Sequence, residues 1–66
     1  MDDPAADLQS LLDRLKGAQH ALIEDAARQV GLPSTAIIRR IAELENVIAA
    51  VLALIEERQG RPSADP

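Results

Sequence analysis

The chain has 66 residues, 31 of them apolar, with no Phe, Tyr or Trp, no cysteine and a formal net charge of −4. A chain of this length is expected to form one small domain, the lack of cysteine excludes a disulfide staple and a thiolate metal site within it, and the charge argues against a broad phosphate-binding surface of the basic kind. Twelve of the apolar residues are alanines that bury little area each, so a lone chain is marginal and self-association is the expected remedy.

The opening stretch, MDDPAADLQS, is acidic and lacks both a basic n-region and an apolar h-region. No signal peptide is read there, and a cytoplasmic location is expected. Residues 1–4 and 60–66 read as frayed ends, polar and marked by Gly and Pro. Asp2 or Asp3 can cap a helix start, Pro4 suits its first turn, and Asp7 places negative charge near its positive end.

From residue 5 to 30 apolar positions recur at steps of three and four: Leu8, Leu11, Leu15, Ala18, Leu22, Ala26 and Val30. Leu12 and Ile23 widen the stripe. Gly17 is the internal weak point, but no proline or strong cap lies beside it. One helix over 5–30 is expected. The alternative is a break between Gly17 and His20, which would make three short helices in all.

The bend, 31–34, is well punctuated. Gly31 fits a helix C′ position, Pro33 follows a stop, and Ser34 or Thr35 can cap the next helix. The second helix is expected over 35–59, with Arg58 in its last turn and Gly60 and Pro62 ending it.

Ile37, Ile41, Leu44, Ile48, Val51 and Ile55 follow alternating steps of four and three, a heptad seam with Ile41, Ile48 and Ile55 at a. The e and g positions are Ile38, Arg40, Glu45, Val47, Leu52 and Leu54. Four of these six are apolar, so the face is too wide for a simple two-stranded zipper. The expected fold is all-α, an antiparallel helical hairpin assembling into a homo-oligomeric helical bundle, a dimer of hairpins or higher. The expected oligomer interface comprises Ile37, Ile41, Leu44, Val47, Ile48, Val51, Leu52, Leu54 and Ile55. A two-chain coiled coil with a wet apolar flank is the simpler alternative. Arg39 and Arg40 flank the seam near the bend, Glu24, Asp25 and Arg28 lie on the facing helix, and ion pairs between the opposite charges of this group are the candidates for setting register. The longest apolar run, Val47 to Ile55, is far short of the roughly 20 residues that span a bilayer, so no membrane partner is expected.

Catalytic chemistry finds little material: one His, three Ser, one Thr and one Lys. His20 has no second His or Cys with which to hold a metal. Ser34 has no nearby base and reads as a cap. Glu43 with Glu45, and Glu56 with Glu57, point in different directions on a helix. No enzyme activity, cofactor or metal is expected.

The stretch from Leu11 to Ile48 resembles the helix-turn-helix of Lrp/AsnC-type regulators. Ala27, Val30, Gly31 and Leu32 match the close of that family's first helix and its turn. Ile37, Arg40, Ile41, Leu44 and Glu45 match its recognition helix at the same spacing. The resemblance implies DNA as a partner, with Ser34, Thr35, Arg39 and Arg40 at the helix start that faces the major groove. The family's β-wing is absent, because Glu45-Asn46-Val47-Ile48 runs on into more helix. Small terminase subunits of tailed phages are similar only as short, self-associating helical hairpins, with no shared motif. The favoured expectation is an oligomerising module that binds itself and other proteins; a small DNA-binding protein is the alternative.

Overall fold

The computed structural model describes residues 4–60. Two helices make up the fold: α1 (Pro4–Arg28) and α2 (Thr35–Arg58). No strand occurs among the described residues. The helices lie side by side as a hairpin, consistent with the expected architecture. The candidate caps Asp2 and Asp3, and Pro62, lie outside the described residues.

α1 is one unbroken helix of 25 residues, so the three-helix alternative is not what forms. Gly17 sits inside it with open space around its Cα. Its flexibility is insufficient to break the helix where neither a proline nor a cap supports a stop. α1 ends at Arg28, two residues before the expected boundary, and the bend is correspondingly 29–34. Gln29 N–H closes on the Ala26 carbonyl at 3.1 Å, a three-residue turn that tightens the helix end. Gly31 therefore lies beyond the C′ position, but its φ of +87° shows why glycine stands there. The chain reverses through a left-handed residue that a side chain would strain.

Ser34 caps α2 as expected. Its backbone is extended, and its Oγ accepts a hydrogen bond from the Ile37 N–H at 3.2 Å. At the other end Gln59 is the C-cap, and Gly60, at φ +70°, follows it with its N–H donating to the Glu57 carbonyl at 3.1 Å. Arg58 lies in the last turn.

The core sits at the end of the hairpin remote from the bend. Leu12 of α1 is buried against Ile48, Val51 and Ile55 of α2, and Leu8, Leu11 and Leu15 pack against that group. Among the described residues no side chain is completely enclosed. The α1 stripe differs from its expected form at two places. Ala18 is exposed, and Gln19 is buried instead; Val30, past the helix end, is fully exposed. The seam follows the phase set by Leu8, Leu12, Leu15, Gln19, Leu22 and Ala26, and Ala18 falls on its flank.

Candidate functional site

The six heptad positions of α2 divide into two groups. Ile48, Val51 and Ile55 are buried within the single chain, covered by α1. Ile37, Ile41 and Leu44, nearer the bend, are half-buried. Three of the residues expected at an oligomer interface are thus consumed by the hairpin's own core. Of the others, Leu54 is half-buried, Val47 is 45% exposed and Leu52 is 37% exposed. Ile38 and Ile23 stand open beside them. The wide apolar face inferred from the e and g positions is present, and one α1 covers only its centre.

Gln19 is the buried polar residue of the seam, and sequence reasoning missed it. Its side-chain amide donates to Glu45 Oε1 at 2.8 Å and, at 3.5 Å, to the Ile41 carbonyl. Among the described residues no buried side-chain nitrogen or oxygen lacks a partner. Burying an amide without a partner costs on the order of 1–3 kcal/mol, so the pair favours the register that brings Gln19 level with Ile41 and Glu45. A helical-period search for apolar residues cannot detect such a position. The signal that does exist is the step from Leu15 to Leu22, which passes through Gln19 at the phase of the stripe.

The expected cross-helix ion pairs are replaced by contacts inside each helix. Arg28 Nη2 meets Asp25 Oδ1 at 3.2 Å, and Arg40 Nε lies 3.9 Å from Glu43 Oε1. All four side chains are more than half exposed, where such pairs contribute about 0–1 kcal/mol. Among the described residues the polar contact that joins the two helices is that of Gln19, not one of the arginines.

The residues expected to face DNA gather at the start of α2. Ser34, Thr35, Arg39 and Arg40 are all exposed. The Ser34 hydroxyl is engaged as the helix cap, and Arg40 leans toward Glu43. In a helix-turn-helix the two helices meet at about 90–120°. Here α2 runs back alongside α1, with contacts from Gln19 to the open end.

A small cleft of about 120 Å³ lies at the bend, lined by Leu22, Ala26, Pro33 and Ile37 among others. Ligand pockets run to about 300–1,000 Å³, so this cleft is packing slack beneath the turn. His20 is exposed, and no group of three or more metal-ligating side chains occurs among the described residues. No helix there is long and apolar enough to cross a membrane.

Compared with known proteins, the chain matches no family model, no curated protein and no solved structure.

Proposed function

We propose that this chain is a non-enzymatic oligomerising helical module that acts through self-association and protein binding. One observation carries the reading. The hairpin buries only Leu12, Ile48, Val51 and Ile55 as its core, while Ile23, Ile38, Val47 and Leu52 stand 37–49% exposed along the helices. Apolar surface left open along both helices of so small a core is the mark of an interface. A second copy covering part of it would add burial that the single chain lacks, and the rest is open to a protein partner.

A DNA-binding role for the start of α2 is the second reading, supported by the exposed Arg39 and Arg40 and by the resemblance of the Ala27–Glu45 stretch to a helix-turn-helix. Against it stand the net charge of −4 and the lengthwise helix packing. Mass-resolved measurement of the assembly, with and without duplex DNA, separates the two. The proposal expects a discrete oligomer of unchanged mass when DNA is added at low salt. A folded monomer at micromolar concentration would sink the first reading. Retention of DNA that is lost on joint Arg39→Ala and Arg40→Ala substitution would install the second.

A further inference from the structure

The hairpin has two broad faces, and they differ. Helical phase, with 3.6 residues per turn, assigns the flanking residues to one or the other. In an antiparallel pair the residues a little ahead of each helix's buried line share one face, and those a little behind share the other. The first face carries Ile23, Ile38 and Leu52, but Lys16, His20 and Glu45 cross its middle, and all of these are exposed. Glu45 is further committed to Gln19 beneath it. The second face carries Leu11 and Ala18 of α1 beside Val47 and Leu54 of α2. Its charged residues are Asp7 and Arg58 near the open end and Asp25 and Arg40 near the bend, with Arg14 and Glu43 at its outer edges.

The pairing across this second face is regular. Asp7 stands nearly level with Arg58, Leu11 with Leu54, Ala18 with Val47, and Asp25 with Arg40. The two residue numbers in each pair have the same sum, as level positions on antiparallel helices require. A two-fold axis parallel to the helices keeps every residue at its height and lays α1 of one chain over α2 of the other. Asp7 then meets Arg58 of the second chain at the open end, and near the bend Asp25 comes level with Arg40, each already paired on its own helix with Arg28 and Glu43, with leucine on leucine and alanine on valine between. The other face-to-face two-fold, perpendicular to the helices, sets Asp7 against Asp25 and Arg40 against Arg58, acid on acid and base on base. Charge therefore selects the first arrangement, because like charges brought together across an interface are strongly disfavoured.

The area also fits. Helices of 24 to 25 residues with a rise of 1.5 Å and a diameter of about 10 Å present a face of about 36 by 20 Å, or about 700 Å². That is close to the roughly 800 Å² per partner of a standard stable interface.

We infer that a second copy of this chain docks on the Leu11–Ala18–Val47–Leu54 face, α1 over α2, to form an antiparallel four-helix bundle whose two-fold axis runs along the helices. This rests on the self-association reading and names its surface and symmetry. The opposite face, where Lys16, His20 and Glu45 interrupt Ile23, Ile38 and Leu52, lies outside this interface.

Two experiments on the full chain test it. Val47→Glu places a charge at the centre of the interface in both copies and should weaken dimerisation on the order of 100-fold, measured by sedimentation. Ile38→Glu, on the opposite face, should leave it within about threefold. The absence of native cysteine permits a second measurement that does not depend on a disruptive charge. Chains carrying only Ala18→Cys are mixed with chains carrying only Val47→Cys and oxidised. Disulfides between the two kinds should exceed those within either kind. Dissociation by Ile38→Glu in place of Val47→Glu, equal weakening by both, or a predominance of Val47–Val47 links would overturn the arrangement while leaving self-association intact. A monomeric wild-type chain would remove both.

Discussion

The two ends of this hairpin are held by different physics. At the open end, Leu8, Leu11, Leu12 and Leu15 close over Ile48, Val51 and Ile55, and stability comes from apolar burial. At the bend end, Leu22, Ala26, Ile37 and Ile41 are only half-buried, while Val30 and Leu32 are exposed outright. There the order comes from directional contacts: the Ser34 cap, the left-handed Gly31, and the Gln19 amide on Glu45. Burial supplies free energy without direction, whereas hydrogen bonds and backbone conformation supply direction with little net free energy. One end makes the hairpin stable, and the other decides how it is folded back and in which register.

Substitutions at the two ends should divide accordingly. The largest effect belongs to Leu12→Ala, which opens a cavity under the best-buried residue of α1, 3% exposed. A loss of about 2–5 kcal/mol is expected, enough to abolish the cooperative helical melt followed by circular dichroism. An equally stable Leu12→Ala chain would show that the burial comparison is wrong.

Gln19→Leu should behave in the opposite manner for a buried residue. It removes an amide together with its need for a partner, so stability should change by less than about 1.5 kcal/mol in either direction. Register is what should suffer. Chains linked by cysteines placed at positions 15 and 48 should cross-link cleanly in the wild-type background and less selectively with Gln19→Leu. Unchanged selectivity would assign register to the bend alone.

Ser34→Ala removes the acceptor for the Ile37 N–H and should cost about 1 kcal/mol, visible as a lower melting temperature. Gly17→Ala lies between the two ends and should stabilise α1 by up to about 1 kcal/mol, because a Cβ there meets nothing within 4 Å. A destabilising Gly17→Ala would mean that another chain approaches α1 at that point.

Much of this architecture was legible in the residues. The heptad steps from Ile37 to Ile55 marked α2 and its buried line, and Gly-Leu-Pro-Ser marked a stop and restart that α2's Ser34 cap bears out. What escaped was the detail of α1. Its apolar stripe has two parallel readings, one through Leu11 and Ala18 and one through Leu12 and Gln19, because Leu11-Leu12 supports both phases. The second prevails since Leu12 then reaches the isoleucines of α2 and Gln19 reaches a carboxylate. That choice depends on a side-chain partner 26 positions away, which periodicity along one helix does not contain. The ion pairs went astray for a related reason. Asp25 and Arg28, and Arg40 and Glu43, are three residues apart on a helix and satisfy each other locally before any cross-helix partner is reached.

The central claim is that part of the apolar surface left open by the hairpin is covered by another copy of the same chain. Thermal unfolding across a dilution series tests it most directly, because a dimer's melting temperature falls with concentration and a monomer's does not. The account predicts a melting temperature that drops by several degrees for about a hundredfold dilution, with helicity and assembly lost together. A melting temperature independent of concentration, with full helicity retained at the highest dilution, would contradict it.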